Sequence, residues 1–330
     1  MEFRKATIMN GESPTNQLGS HVAEKIPADA KIIDAHTHPF GKRGLDLSND
    51  IKAFRDPILL RWKNPELWRE MFESTDDLTD ELIRDMDDHG IDKAVIQSRG
   101  VGGVNEDVAR AVERHPDRLV GLFRPVYKVK DSGPQSTIDY GELGAQVDIW
   151  VSELGLKGMG EIRLSRFTSE AAPERISQDL IPLMEIMACH KVPVMFLTAW
   201  TQFGTALYHG MPLFVDDLAE RFPEVPIIIT KMGRGYDILF EMCLLIAYKH
   251  PNVYLDTVQS RPEHVARAVS EIGSNRVMFG TDWEQSWRAV QTEDDFYTRS
   301  LAVVADSGIS HEDMKAVLGG TAEELFGFVQ

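Results

Sequence analysis

The sequence predicts an α/β fold, a single (β/α)₈ barrel or TIM barrel. The chain has 330 residues, of which 43% are hydrophobic and 26% charged, as in a typical globular protein. From Lys31 onward, short apolar runs alternate with amphipathic stretches of helical length. This alternation is typical of parallel strands joined by helical crossovers. Such barrels routinely exceed about 200 residues as one domain, so one barrel accommodates residues 31–330.

Eight runs have the length and the β-branched, apolar composition of buried strands, and eight is the number of strands in this barrel. They are Lys31–His38, Lys93–Ser98, Leu119–Val126, Leu156–Ile162, Pro193–Thr198, Pro226–Thr230, Val253–Thr257 and Val277–Trp283.

The segments between these runs have the apolar spacing of amphipathic helices. Predicted crossover helices are Asp77–His89, Asn105–Arg114, Gln178–His190, Met211–Arg221, Tyr236–Lys249, Glu263–Glu271 and Glu293–Asp306. A last predicted helical pair, Ser310–Leu318 and Thr321–Phe328, ends the chain.

Two segments fall outside the strand and helix alternation. Residues 1–30 are polar and contain several Gly, Ser and Asn residues, so they are predicted to form an N-terminal extension. Residues 39–76 are a long connection after the first strand, with Trp62 and Trp68, and are predicted to form a helical insertion. Connections of this length often cover a site, so the insertion is either a lid or a layer packed on the barrel.

Charge and cysteine content narrow the functional classes. The formal charge of −17 disfavours nucleic acid as a partner, since affinity for phosphates rests on basic side chains. A small anionic substrate remains compatible, because salt screens distant charges. The chain has two cysteines, Cys189 and Cys243, and their spacing matches neither a disulfide framework nor a zinc motif. Because disulfides are typical of oxidising compartments, we expect a cytoplasmic location. No apolar run reaches the ~18 residues that a membrane span needs. A homo-oligomer is compatible with the sequence.

The first predicted strand ends in a His-x-His motif, formed by His36 and His38. The two-residue period of a strand directs both side chains to the same side. At the carboxyl end of a barrel strand, that side is the active-site mouth. Two imidazoles in this arrangement can bind one divalent cation at about 2.0–2.1 Å each. The motif therefore predicts a metal site.

Five motifs resemble those of the amidohydrolase-related family. They are Ile33-Asp-Ala-His36-Thr-His38, Gly155-Leu-Lys-Gly158, Arg221-Phe-Pro223, Phe279-Gly-Thr-Asp282-Trp283 and Leu318-Gly-Gly-Thr-Ala-Glu-Glu-Leu-Phe326. The resemblance implies a (β/α)₈ barrel that carries a metal-dependent hydrolase, decarboxylase or hydratase. It also implies that His36 and His38 are the first two metal ligands. Asp282 then corresponds to the family's aspartate, which ligates the metal or accepts a proton from the attacking water.

The chain departs from the family pattern at predicted strands 5 and 6. Leu197 and Lys231 stand where the family has histidines, so we expect other ligands. Glu161, at the end of predicted strand 4, is the preferred replacement, with Asp256 and Glu284 in reserve. His36, His38, Glu161 and Asp282 would form a set of two nitrogens and two oxygens. This set suits zinc, our first choice, and also iron or manganese.

Lys231 has three possible roles on sequence grounds. It is a cation that polarises a substrate carbonyl, a carbamylated metal ligand, or a structural partner of a buried carboxylate. Arg99 follows predicted strand 2, and Arg124 lies at the end of predicted strand 3. Both are candidates to bind a substrate carboxylate or phosphate. His209, after predicted strand 5, is a further candidate to contact substrate.

These residues predict a metal-dependent hydrolase that cleaves a bond next to a carbonyl group. The resemblance to the family implies small carboxylated, aromatic or acyl substrates of catabolism. The missing imidazoles resemble a branch of the family that acts on acyl-CoA compounds of the β-ketoacyl type. Three alternatives stay open: a non-haem iron oxygenase, a metal-dependent decarboxylase, and a metal-free barrel that only binds a ligand.

Overall fold

The computed structural model describes residues 19–41, 66, 76–98, 105–125, 127–129, 136–138, 140–162, 173–198, 210–283 and 296–328. The predictions for Arg99, His209, Glu284 and most of the insertion after the first strand lie outside these residues.

Eight parallel strands form the barrel, and each lies within a strand predicted from the sequence. They are β1 Ile33–Thr37, β2 Lys93–Gln97, β3 Leu119–Leu122, β4 Met159–Ile162, β5 Val194–Leu197, β6 Ile227–Thr230, β7 Val253–Asp256 and β8 Val277–Met278. One sheet has the order β1-β2-β3 and the other β8-β7-β6-β5-β4. Isolated parallel bridges join the two sheets at both edges, between Phe123 and Met159 and between Thr37 and Trp283. The predicted fold class is confirmed.

Alternate strand positions fill the interior of the barrel. These side chains form one buried apolar cluster that is separate from the core between strands and helices. Its strand members are Ile33, Ala35, Val95, Val120, Leu122, Met195, Ile228 and Met278. Ala322 and Phe326 of the last helix join this cluster, near the amino ends of the strands. The chemically active side chains are therefore left to the opposite, carboxyl end of the barrel.

The helices surround the strands as a second layer. They are α1 Ser20–Lys25, α2 Thr79–His89, α3 Asn105–Arg114, α4 Tyr140–Asp148, α5 Pro173–His190, α6 Leu213–Arg221, α7 Asp237–Lys249, α8 Pro262–Ile272, α9 Phe296–Ala305, α10 His311–Lys315 and α11 Thr321–Phe326. No helix in the described part of the chain is long and apolar enough to cross a membrane.

Helix α4 was not predicted from the sequence. Its residues include Gly141 and Gly144, and glycine lowers helix propensity by about 1 kcal/mol relative to alanine. Tertiary packing compensates, because Leu143 and Val147 are buried in the main core. One π-helical turn, Ile149–Glu153, continues the helix and places Trp150 against Phe123. Burial of this apolar face overrides the weak local preference.

Two contacts outside the barrel bear on the predicted extension and insertion. Val22 of α1 belongs to the main core, and Lys25 forms an ion pair with Asp306 after α9, so residues 19–26 pack on the barrel. Phe40–Gly41 pairs antiparallel with Asp76–Asp77. This pairing places both ends of the insertion beside β1, next to the mouth. The division into an extension and a barrel domain stays a prediction.

Candidate metal centre

His36, His38 and Asp282 converge at the carboxyl ends of β1 and β8. The Nε2 atoms of His36 and His38 are 3.2 Å apart. Asp282 Oδ1 lies 3.6 Å from His36 Nε2 and 3.3 Å from His38 Nε2. All three residues are buried, and together they can hold a metal ion. The chain thus brings together, in space, three of the four residues predicted as metal ligands.

The two histidines reach the mouth through an irregularity in β1. Ile33 and Ala35 point into the barrel, so strict alternation would turn His36 and His38 outward. The register between β1 and β2 shifts between Asp34 and Thr37. Such a shift changes which side chains face inward, as β-bulges beside active sites do. As predicted, the two histidines point to the same side of β1. That this side faces the mouth of the barrel depends on the bulge.

Distances and charge both fit a divalent cation. Two atoms bound at about 2.0–2.1 Å in tetrahedral geometry lie about 3.3 Å apart, close to the separations among these three ligand atoms. Three carboxylates, the buried Asp256 and Asp282 and the partly buried Glu161, surround the histidines. The Lys231 ammonium contacts Asp282 and Glu161, and its backbone N–H donates to Asp256. Three carboxylates against the two cations Lys231 and Arg234 leave an excess of negative charge that a divalent cation would compensate. The residues present therefore fit the metal that the sequence predicts.

Asp256 fixes the orientation of His36. Its Oδ2 lies 2.8 Å from His36 Nδ1, and its Oδ1 accepts hydrogen bonds from the Lys231 and Val258 backbone N–H groups. An ionised carboxylate only accepts hydrogen bonds, so Nδ1 of His36 carries the proton and Nε2 is free to ligate. Asp256, considered as a reserve ligand, thus acts as the hydrogen-bond partner of a ligand.

The two histidines differ in their surroundings. For His36, burial and the Lys231 charge lower the pKa, but Glu161 and Asp256 outweigh them and the pKa is raised. Burial lowers the pKa of His38 to about 4, against the opposing effect of Asp282. His38 is therefore neutral at physiological pH, the form that binds metal. Its Nδ1 is buried and has no hydrogen-bond partner in the described part of the chain.

Asp34 connects β1 to the segment after β8. Its carboxylate accepts hydrogen bonds from Thr281 Oγ1 at 2.5 Å, Thr281 N at 3.0 Å and His36 N at 3.1 Å. Burial raises the pKa of Asp34 to about 7, while these hydrogen bonds lower it. Asp34 thus ties His36 on β1 to Thr281, the residue before Asp282, and the Asp282 N–H donates to the His36 oxygen at 2.8 Å.

Lys231 forms a buried ion pair at the centre. Its Nζ lies 2.7 Å from Asp282 Oδ2 and 3.5 Å from Glu161 Oε1. Burial lowers the pKa of Lys231, but the charges of Asp282, Glu161 and Asp256 outweigh burial, and the pKa is raised. The amine is therefore protonated. Lys231 and Asp282 both have left-handed backbone conformations, with φ of 67° and 62°. Non-glycine residues rarely adopt such angles, and they occur preferentially at functional sites.

Glu161 lies at the edge of the compact group of ligand atoms. Its Oε1 is 3.6 Å from His36 Nε2, and its Oε2 is 3.9 Å from His38 Nε2. Thr230 Oγ1 donates to the same Oε1 at 2.7 Å. Burial raises the pKa of Glu161, but Lys231 and His36 outweigh it and lower the pKa to about 2. Glu161 is therefore an anion already held by Thr230 and Lys231.

Gln97 on β2 holds the backbone before Glu161 in place. The backbone N–H of Glu161 donates to Gln97 Oε1. A Cβ atom at Gly160 would collide with the same oxygen, so a larger residue here would displace the Gln97 side chain. Neither residue was singled out in the sequence, where Gln97 is one polar residue in an apolar strand. The sequence feature that could have identified Gln97 is a polar residue at the end of an otherwise apolar strand.

Arg234 is a second cation that sequence reasoning missed. It follows Lys231 in a Lys-Met-Gly-Arg-Gly run, and its φ is 54°. Burial lowers the pKa of Arg234, and the charges of Asp282 and Glu161 act in the opposite direction. The sequence feature that could have pointed to Arg234 is the pair of glycines on either side of it, which is typical of a tight turn after a strand.

Two further residues considered in the sequence analysis, Leu197 and Arg124, lie at strand ends. Leu197 is buried at the end of β5, so the carboxyl end of this strand offers no imidazole. Arg124 is buried just after β3, and its Nη1 donates to the Ser98 backbone oxygen at 3.1 Å. Its predicted contact with substrate stays a prediction.

Comparison with solved structures supports the barrel. An uncharacterised TIM-barrel protein from Bordetella bronchiseptica is 18% identical, with a TM-score of 0.63 over 90% of this chain and 98% of that chain. An amidohydrolase from Burkholderia multivorans with bound zinc is 15% identical, with a TM-score of 0.61 over 91% and 100%. A dihydroxybenzoic acid decarboxylase from Polaromonas with bound manganese is 18% identical, with a TM-score of 0.58 over 90% and 97%.

Sequence comparison identifies the family. No curated protein matches the chain. The sequence model of the amidohydrolase family, however, matches residues 33–328, which extend from the start of β1 to just after α11. The match includes every residue of the metal centre described above. The chain therefore belongs to the amidohydrolase family.

Proposed function

We propose that the protein is a metal-dependent hydrolase that cleaves a bond next to a carbonyl group in a small substrate. The observation that carries this proposal is the convergence of His36 Nε2, His38 Nε2 and Asp282 Oδ1 within 3.2 to 3.6 Å at the barrel mouth. Membership in the amidohydrolase family supports it. Zinc is our first choice of ion, and manganese the second, since similar structures contain one or the other.

The side chains divide the chemical work. A bound divalent cation would supply Lewis acidity that polarises a carbonyl and activates water. Asp282 is placed to accept the proton that the attacking water loses. Lys231 donates to Asp282 Oδ2 and keeps this carboxylate ionised while its Oδ1 faces the two histidines. Asp256 holds the imidazole of His36 in its ligating orientation.

The contacts of Lys231 support the structural and electrostatic roles over carbamylation. Carbamylation requires a neutral amine, whereas the contacts with Asp282 and Glu161 stabilise the ammonium. The same ammonium lies at the mouth, where it can stabilise negative charge that develops on a substrate oxygen. We assign Lys231 to these two roles together.

Decarboxylation is the second candidate, favoured by the similar Polaromonas decarboxylase with bound manganese. It differs from hydrolysis in that it releases CO₂ and consumes no water. Oxygenation by iron and a metal-free binding function are the remaining alternatives. An acyl-CoA substrate stays a prediction from the sequence alone.

The experiment begins with the metal content of protein purified without chelator. Activity is then screened on aryl esters, lactones and hydroxybenzoates in water enriched in oxygen-18, with and without O₂. We expect one bound divalent ion, loss of activity on chelation, recovery with zinc or manganese, and heavy oxygen in one product. CO₂ release with no heavy oxygen in the organic product would instead identify a decarboxylase. Dependence on O₂ would identify an oxygenase, and absence of metal a binding barrel.

A further inference from the structure

The segment that carries Asp282 lies beyond the last barrel strand. Strand β8 ends at Met278, so Asp282 belongs to the stretch that follows it. Two backbone hydrogen bonds attach this stretch to β1. The Asp282 N–H donates to the His36 oxygen at 2.8 Å, and the His38 N–H donates to the Trp283 oxygen at 2.8 Å. These bonds hold the main chain next to the two histidines, but they do not by themselves direct the Asp282 side chain.

The direction of the Asp282 side chain depends on an unusual backbone conformation. Asp282 has a left-handed φ of 62°. A left-handed residue interrupts the regular alternation of an extended strand, so it changes the side to which its side chain points. A residue other than glycine keeps such a conformation only where the surrounding contacts impose it. The contacts of the two neighbours, Thr281 and Trp283, therefore decide where the Asp282 carboxylate points.

Both neighbours of Asp282 donate hydrogen bonds from their side chains to aspartates. Thr281 Oγ1 donates to Asp34 Oδ2 at 2.5 Å. The indole Nε1 of Trp283, which is fully buried, donates to Asp85 Oδ2 at 2.9 Å. The Trp283 N–H also donates to Thr281 Oγ1 at 3.0 Å, across Asp282. The turn at Asp282 is thus held by β1 through Asp34 and by helix α2 through Asp85.

Helix α2 is itself attached to the strand that carries the histidines. The N–H of Leu78, the residue before α2, donates to the Pro39 oxygen at 2.8 Å, and Pro39 directly follows His38. At the other end of this connection, Asp85 of α2 binds the Trp283 indole, and Trp283 accepts from the His38 N–H. A closed ring of contacts therefore joins His38 to the segment of Asp282, and one side of this ring is an α-helix.

We propose that Asp85 is a positioning residue for the metal centre. Through the Trp283 indole, it holds Asp282 in the left-handed conformation in which Oδ1 faces His36 and His38. This inference rests on the proposed function for the metal ion that these three residues would bind. Without the hydrogen bond to Asp85, the indole is free to shift. The backbone at Asp282 then relaxes toward the extended conformation, which turns the carboxylate away from the histidines.

Four variants separate the hydrogen bond from charge and from packing. Asp85→Ala removes the acceptor, whereas Asp85→Asn removes the charge but keeps a carbonyl oxygen that can accept from the indole. Trp283→Phe keeps an aromatic ring in the core and removes the N–H donor. Asp87→Ala is the matched control. Asp87 lies on the same helix and pairs at 2.7 Å with Arg118, which directly precedes β3 at the amino ends of the strands.

Zinc affinity, by competition with a dye, and the visible spectrum of bound cobalt(II) are measured on the full chain. The cobalt(II) spectrum depends on the coordination of the ion, so it reports a displaced Asp282. We expect Asp85→Ala and Trp283→Phe to lose about tenfold in zinc affinity and to change the spectrum. Asp85→Asn and Asp87→Ala should resemble wild type. The Asp85→Ala/Trp283→Phe double variant should be no worse than the weaker single variant, because both changes remove the same hydrogen bond.

Three results would overturn the proposal. The first is equal zinc affinity in Asp85→Ala and Asp87→Ala. The second is a loss in Asp85→Asn as large as that in Asp85→Ala, which would assign the effect to charge. The third is an unchanged cobalt(II) spectrum in Asp85→Ala. If Trp283→Phe does not fold, the comparison of Asp85→Ala with Asp85→Asn decides, since Asp85 is only partly buried.

Amide hydrogen exchange on metal-free protein separates this inference from the proposed function. Asp85→Ala should raise exchange in the peptide Val277–Trp283, which contains the Asp282 N–H, while Asp85→Asn and Asp87→Ala match wild type. If exchange responds in this way but the protein binds no metal, Asp85 keeps its positioning role and the hydrolase proposal fails. If metal and hydrolysis are present but Asp85→Ala changes neither exchange nor zinc affinity, the hydrolase stands and this inference fails.

Discussion

Two sides of the barrel mouth offer a metal ion very different surroundings. On the side of β1 and β8, His36, His38 and Asp282 present three ligand atoms within 3.6 Å of one another. On the side of β5 and β6, the corresponding strand ends carry the apolar Leu197 and the protonated Lys231. One side thus offers ligands to a cation, while the other supplies a positive charge of its own.

The ligating side keeps its geometry without ligands from β5 and β6. Asp34 and Asp256 fix His36 through buried hydrogen bonds, and Asp34 also holds Thr281, the residue before Asp282. The geometry of the ligating side is therefore set within β1, β7 and the segment after β8. Lys231 then compensates charge on Asp282 and Glu161 without occupying a ligand position.

The largest expected effect tests the ligating side. Replacing His36 and His38 together by alanine removes two of the three converging ligands, so metal occupancy should fall below about a tenth of wild type. The fold should persist, since the barrel core is built from other residues. Metal analysis and circular dichroism measure both. His115→Ala, at an exposed ion pair with Asp80, is the control. Full occupancy in the double variant would disprove the site.

The next effect tests the opposite side. Lys231→Met should reduce turnover about 10²- to 10³-fold, the scale of one electrostatic stabiliser, with metal retained. The metal-free variant should also lose about 3–5 kcal/mol in free energy of unfolding, because Asp282 and Glu161 lose their cation. Steady-state kinetics and urea unfolding measure the two quantities, with Lys249→Met as the exposed control. Loss of metal instead would show that Lys231 is a ligand.

A smaller effect is expected at the hydrogen-bond partner of His36. Asp256→Asn keeps the volume but weakens the acceptor for His36 Nδ1, so metal affinity should fall about 10- to 100-fold. Competition with a zinc-sensitive dye measures this change. Asp216→Asn is a matched control, because Asp216 makes a similar 2.8 Å contact with His250 away from the mouth. Equal effects of the two variants would indicate only a general loss of stability.

The smallest effect distinguishes three ligands from four. Glu161→Gln removes a charge that Thr230 and Lys231 already hold, so metal affinity should fall only about tenfold, equivalent to ~1.4 kcal/mol. Asp282→Asn, at a ligand within the compact group, should cost considerably more. The same dye competition compares them. If Glu161→Gln is as damaging as Asp282→Asn, Glu161 is a full ligand, as the sequence predicted.

Much of the fold and part of the site followed from local sequence patterns. Strand positions were predictable because buried parallel strands are short apolar runs between amphipathic helices. His36 and His38 were predictable as neighbours because two residues at i and i+2 share one side of a strand. The absence of imidazoles at Leu197 and Lys231 is a property of residue identity alone, which needs no structure.

Other features depended on contacts between distant segments. The charge state and role of Lys231 follow from Asp282, 51 residues away. The orientation of His36 follows from Asp256, which lies 220 residues away. Arg124 could be placed near the mouth from sequence, but only the tertiary structure shows that it is buried and that no described carboxylate pairs with it. Periodicity specifies the side of a strand, whereas burial and ion pairing arise from segments that folding brings together.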